Sequence, residues 1–66
     1  MKKLREIRQK MCMTQAMLAD KVGLTRQAIT AYENGNNFPG ENELNKLADV
    51  LCVSVDELMG RKTNEN

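Results

Sequence analysis

Histidine and tryptophan are absent from this chain, and it carries one tyrosine (Tyr32), one phenylalanine (Phe38), one proline (Pro39) and two cysteines (Cys12, Cys52). Two cysteines without histidine are too few for a Cys/His zinc site, so no metal and no cofactor is expected. One possible cysteine pair does not make a disulfide scaffold, and no secretion signal accompanies it. Met1, Lys2 and Lys3 look like the start of a signal peptide, but no apolar stretch follows them. Apolar runs stop at four residues, as in Val50-Leu51-Cys52-Val53, far short of the roughly 20 that cross a bilayer. The expectation is a cytoplasmic protein with reduced thiols and no membrane contact. The chain also lacks a phosphate-cradling glycine loop and a nucleophile–base pair, which argues against an enzyme.

What remains is a 66-residue chain, enough for one domain. At this size folding hides only about 60% of the surface that the open chain exposes, which leaves a thin core and no deep catalytic cleft. With so few aromatics that core must be aliphatic. Val, Ile and Thr are too scattered for strands, so the fold class expected is all-α.

The net charge is +1, but it is unevenly spread. Residues 1–35 hold seven Lys and Arg against three Asp and Glu, a net of +4, whereas residues 36–66 hold three against six, a net of −3. The first half could face a polyanion while the second faces away, although small helical domains also show such asymmetry by chance.

Apolar spacing divides the chain into five short helices. Leu4, Ile7, Arg8 and Met11 fall at i, i+3, i+4 and i+7 and predict a first helix over 2–11. Thr14 is a good N-cap for a second helix over 15–22, with Leu18, Ala19 and Val22 inward and Gly23 ending it. Thr25 caps a third helix over 26–34, stopped by Asn34-Gly35. No alternating runs flank that pair, so it reads as a helix stop rather than a hairpin turn. Residues 36–40 form a loop. Leu44, Leu47, Ala48 and Leu51 repeat the helical stripe and predict a fourth helix over 41–51. Ser54 and Glu57 have capping-box spacing and open a short fifth helix containing Leu58 and Met59. Gly60 ends it, and residues 61–66 form a polar tail expected to fray. Residues 1–60 are thus a single domain, without repeat or linker.

The informative stretch is 15–32, where two short helices flank a tight turn, Val22-Gly23-Leu24. This is the layout of a helix-turn-helix. Ala19 is small enough for the second of these helices to approach closely. Leu18, Val22, Leu24, Ile29 and Tyr32 would fill the wedge. The sequence resembles the phage-repressor and Cro-like helix-turn-helix family, also called the XRE family. The resemblance rests on Thr14-Gln15, Leu18-Ala19, Gly23, Ile29, Tyr32-Glu33-Asn34-Gly35, Pro39, the Leu44–Leu51 stripe and Val53 to Leu58. It implies a lambda-repressor-like domain of five helices whose third enters the major groove of double-stranded DNA.

At 100° per residue, Thr25, Ala28, Ile29 and Tyr32 cluster on the core side of the third helix, with Glu33 at its edge. Gln27, Thr30, Ala31 and Asn34 face the other way, with Arg26 at the edge of that face. Arg can pair with guanine O6/N7 and Gln with adenine N6/N7, while Thr30 offers a hydroxyl or a methyl and Ala31 an apolar contact. Arg26, Gln27, Thr30 and Ala31 are therefore the candidate base contacts, although residues of the types of Arg26 and Gln27 also occur on solvated helix faces without a partner. The resemblance implies DNA-backbone contacts from Gln15, Asn34, Asn36 and Asn37, and Thr25 can touch phosphate while it caps its helix. Helix N-termini attract phosphate, and the asparagines also suit a turn. The resemblance further implies a structural salt bridge between Arg8 and Glu33 beneath the third helix, rather than two separate surface charges.

Some residues depart from the family pattern. Cys12 and Cys52 stand where the family often has glycine after a helix, which implies strain of about 1 kcal/mol or a different helix end. Both are expected as inert, buried or half-buried thiols. Phe38 is expected to pack on the fourth helix and Met17 to be a harmless exposed side chain, or else either forms part of a dimer contact. Gly40 is a serviceable cap for the fourth helix.

The expected function is sequence-specific binding of double-stranded DNA as a transcriptional regulator, a repressor that forms a homodimer on an inverted-repeat operator. The alternative is a protein-interaction module, such as an antitoxin or regulatory subunit, with DNA binding secondary. A basic amphipathic membrane peptide is disfavoured, because the first helix lacks aromatic anchors and needs its apolar face for the core.

Overall fold

The computed structural model describes residues 1–60. Every regular element among them is helical: α1 Lys2–Lys10, α2 Gln15–Val22, α3 Arg26–Asn34, α4 Glu41–Leu51 and α5 Val55–Leu58. The polar tail anticipated at 61–66 lies outside the described residues.

Three hydroxyl side chains start helices. Thr14 accepts from the Met17 N–H at 3.0 Å, Thr25 from Ala28 at 3.1 Å and Ser54 from Glu57 at 3.0 Å. Each satisfies one of the N–H groups that a helix start leaves unpaired. Gly40 precedes α4 without a side-chain cap. Glu41 and Glu43 in the first turn instead place negative charge at the positive end of the helix dipole.

The first four helices are each followed by a residue with φ between +58° and +81°: Gly23, Gly35 and Cys52 directly cap α2, α3 and α4, and Cys12 follows the Met11 cap of α1. Around each, two amides fold back onto the last turn. Met13 and Cys12 donate to the Arg8 and Gln9 carbonyls, and Leu24 and Gly23 to those of Ala19 and Asp20. Asn36 and Gly35 donate to Ala31 and Tyr32, and Val53 and Cys52 to Ala48 and Asp49. This is the paired-bond pattern of a left-handed helix stop. At Cys12 and Cys52 a Cβ occupies a backbone region that glycine enters without penalty, so the strain expected from the sequence is present.

The core lies where the helices converge. Leu4, Ile7, Leu18, Ala19, Val22, Ile29, Tyr32, Leu47, Ala48, Leu51 and Leu58 form one buried cluster. Leu4, Leu18, Ile29, Leu47, Leu51 and Leu58 are fully enclosed, and each such side chain is worth about 1.5–3 kcal/mol relative to exposure. α3 packs on α2 and α1, while α4 packs on α2 and α5. Ala19 is 3% exposed, so the tight approach of α2 to α3 has the small residue it needs.

The structure corrects the sequence reading at several points. α1 ends at Lys10, and Met11, placed by periodicity on its apolar face, is 38% exposed. The helix closes at that residue, so the spacing no longer aims it inward. Met59 follows α5 rather than belonging to it. Thr25 is exposed, because it caps α3 from outside the helix. Phe38 is 56% exposed rather than packed away, while its neighbour Pro39 is buried. Cys12 and Cys52 are both exposed thiols, not buried ones, since the left-handed residue after a helix turns toward solvent.

Candidate nucleic-acid interface

α3 is held from one side only. Ile29 is completely buried and Tyr32 nearly so, which fixes the rotation of the helix about its axis. Arg26 and Gln27 in its first turn are exposed as a consequence. Among the described residues neither side chain makes a hydrogen bond or ion pair. Asn34, the last residue of α3, is exposed, as are Asn36 and Asn37 in the following loop. The Asn37 Oδ1 accepts from the Phe38 N–H at 3.0 Å, a local bond of the turn. Thr25 is exposed with its hydroxyl committed to the cap. Ala31 is half-buried.

Beneath this face runs a continuous polar chain. The Arg8 Nε donates to Glu33 Oε2 at 2.6 Å and Nη2 to Oε1 at 3.2 Å, a two-pronged pair. The side chains of Arg8 and Glu33 are 9% and 2% exposed, so this is a buried bridge joining α1 to α3. The Arg8 Nη1 donates to the Met13 carbonyl at 2.8 Å, which ties the α1–α2 turn to the same guanidinium. The Gln15 Nε2 donates to Glu33 Oε1 at 3.0 Å, and the Thr30 hydroxyl donates to Gln15 Oε1 at 2.9 Å. The Arg26 carbonyl lies 3.0 Å from the same hydroxyl. Burial pushes the Glu33 carboxyl up. Hydrogen bonds from Arg8 and Gln15, with the charges of Arg8 and Arg5, outweigh it and hold the group below its usual value of 4.5.

The two residues expected as a bridge therefore meet, and two expected as surface contacts are wired to them. Sequence spacing did not reveal the Gln15–Glu33 and Gln15–Thr30 links. Each crosses between helices at separations of 18 and 15 residues, and helical periodicity carries no information on that. Gln15 keeps its second amide hydrogen, since only one is used on Glu33.

A family model described as helix-turn-helix matches residues 4–58. The chain belongs to the XRE-type helix-turn-helix family. It is 44% identical over 54 residues to the cryptic phage CTXphi transcriptional repressor RstR of Vibrio cholerae, covering 80% of this chain and 48% of that protein. It is 40% identical over 62 residues to YqaE, an HTH-type transcriptional regulator of Bacillus subtilis, covering 94% of this chain and 53% of the relative. BcrR of Enterococcus faecalis, a transcriptional activator, is 32% identical over 57 residues, covering 86% and 28%. The chain spans about half the length of the first two. Among the described residues no helix is long and apolar enough to cross a membrane, and no group of three His, Cys, Asp or Glu could hold a metal ion.

Proposed function

We propose that this domain binds double-stranded DNA in a sequence-specific manner, with α3 in the major groove, and regulates transcription. The observation that carries the reading is the orientation of α3. Its inner face is locked by Ile29, Tyr32 and the Glu33–Arg8 bridge, which leaves Arg26 and Gln27 projecting together from the first turn. A helix presented this way fits the groove, and its first-turn side chains reach base edges. Arg26, Gln27, Thr30 and Ala31 face the bases. Gln15 donates its spare amide hydrogen to phosphate, and Thr25, Asn34, Asn36 and Asn37 flank the DNA backbone. These contacts place the protein on the duplex, while the base edges select the site.

One recognition helix covers too few base pairs to be selective alone. Two copies on an inverted repeat, with half-sites about 34–36 Å apart, supply the missing contacts. The similarity to a phage repressor supports repression as the outcome.

The test is selection of bound DNA from a random duplex pool, followed by titration of the enriched site at several salt concentrations. A palindromic site with affinity falling steeply as salt rises is expected. Failure to retain any duplex at low salt would refute the proposal, and an enriched site without symmetry would refute the dimer alone.

A further inference from the structure

We propose that Thr30 acts as a hydrogen-bond acceptor toward the bases, so that it selects an amino-bearing base (adenine or cytosine) and rejects a keto base (guanine or thymine) at the position it faces. The proposal rests on the DNA-binding reading above and adds a direction to one of its contacts.

Each proton along the buried chain has one possible donor. Glu33 is a carboxylate and can only accept. Its oxygens are met by Arg8 Nε, Arg8 Nη2 and Gln15 Nε2. The amide of Gln15 is thereby fixed in one orientation, because the flipped form would set its oxygen against a carboxylate oxygen 3.0 Å away. Gln15 Oε1 must then be the atom facing Thr30 Oγ1 at 2.9 Å. An amide oxygen has no proton to give, so the hydroxyl donates. The second polar neighbour of Thr30 Oγ1 is the Arg26 carbonyl at 3.0 Å, which is also an acceptor. Threonine has one hydroxyl proton, and both inward partners compete for it. Whichever takes it, nothing but lone pairs and a methyl group remains on the outward side of this half-buried residue.

The major-groove edges respond differently to such a group. Adenine N6 and cytosine N4 carry hydrogens that a lone pair attracts, whereas guanine O6 and N7 and thymine O4 are acceptors and repel it. The same polarity bars Thr30 from donating to phosphate. Arg8 and Glu33 reinforce this sense through Gln15, whose amide oxygen they hold toward Thr30 beside the Arg26 carbonyl.

Two measurements test this. Sites selected from a random duplex pool are compared for the unmodified protein and Thr30→Val, which keeps the shape and a methyl but has no lone pairs. Enrichment of adenine or cytosine at one position, lost in Thr30→Val by about three- to tenfold, is expected. Independently, the unmodified protein is titrated against a site in which that base is replaced by its analogue without the exocyclic amine, purine for adenine or 2-pyrimidinone for cytosine. A matching loss is expected, and none for Thr30→Val. If the unmodified protein selects a defined site but the variant's profile is unchanged, or the lost preference is for guanine or thymine, the polarity assignment fails and the DNA-binding reading stands. If the unmodified protein selects no duplex, both fail.

Discussion

Arg8 and Glu33 come together at 2.6 Å with almost no solvent contact, one from α1 and the other from the last turn of α3. Two elements far apart in the chain are thereby held in one rotation, and the face of α3 that looks outward depends on that rotation. Removing one member leaves a charge buried without its partner, which costs about 3–5 kcal/mol. For a domain of this size that is a large share of the total stability. Arg8→Ala is therefore expected to bring the protein close to unfolding, while exposed Arg5→Ala changes stability by about 0.5 kcal/mol or less. The double change Arg8→Met with Glu33→Leu should recover part of the loss, because an apolar pair needs no desolvated charge but leaves the Met13 carbonyl and the Gln15 amide without these partners. Urea unfolding of the four proteins decides it. Equal, small losses for Arg8→Ala and Arg5→Ala would mean that the bridge carries no weight.

The same carboxylate gives the fold a pH dependence. Its folded pKa lies below the usual 4.5. Between the folded and unfolded values the unfolded chain holds the extra proton, so stability rises with pH there. The contribution of Glu33 is complete above about pH 5 and is lost as pH falls through the folded value. Unfolding midpoints measured from pH 7 down to 3 should drop more steeply for the natural protein than for Glu33→Gln, which has no charge to lose. Parallel curves would show that Glu33 does not carry the effect.

Cys12 and Cys52 occupy left-handed positions that α2 and α3 fill with Gly23 and Gly35. A Cβ costs roughly 1–2 kcal/mol in this region, and glycine returns part of that gain through the greater freedom of its unfolded chain. Cys12→Gly and Cys52→Gly are each expected to be stabilising by about 0.5–1 kcal/mol. Gly23→Ala and Gly35→Ala should destabilise by about 1 kcal/mol each, although open space surrounds both positions. Thermal melts of the four variants check the sign at each helix end.

Most of the fold was legible because its signals are local. Thr14, Thr25 and Ser54 announce helix starts, Gly23 and Gly35 announce stops, and Leu44, Leu47, Ala48 and Leu51 repeat at helical spacing. α2, α3 and α4 accordingly begin and end where capping chemistry and periodicity place them. Met11 was misplaced because a stripe says nothing about whether the helix reaches its last member. The exposure of Cys12 and Cys52 depends on a backbone sign that side-chain type hides. At the candidate interface, the outward setting of Arg26 and Gln27 follows from the burial of Ile29 and Tyr32 on the same helix. The link from Glu33 through Gln15 to Thr30 joins three side chains on two helices, so it exists only once α2 and α3 are packed.

In the proposed complex Arg26 of α3 and Gln15 of α2 make different kinds of contact, one to a base edge and the other to phosphate. Arg26 projects from the first turn of α3 without a protein partner among the described residues, so its guanidinium can pair with a guanine edge at no internal cost. Arg26→Ala should lower affinity for the preferred site by about 1–3 kcal/mol and relax selection at a single base pair, leaving the rest of the profile intact. Gln15 opens α2 and uses one amide hydrogen on Glu33, with the other turned to phosphate in the proposed complex. Phosphates are the same at every step of the duplex, and the Arg26 carbonyl still takes the Thr30 proton when Gln15 is removed, so Gln15→Ala should weaken binding to all sequences alike. Competition titrations with the selected site and with unrelated duplex distinguish the outcomes. An Arg26→Ala protein with unchanged sequence preference would remove that residue from the groove. Loss of selectivity in Gln15→Ala would show that Gln15 acts mainly by orienting Thr30 rather than by holding the backbone.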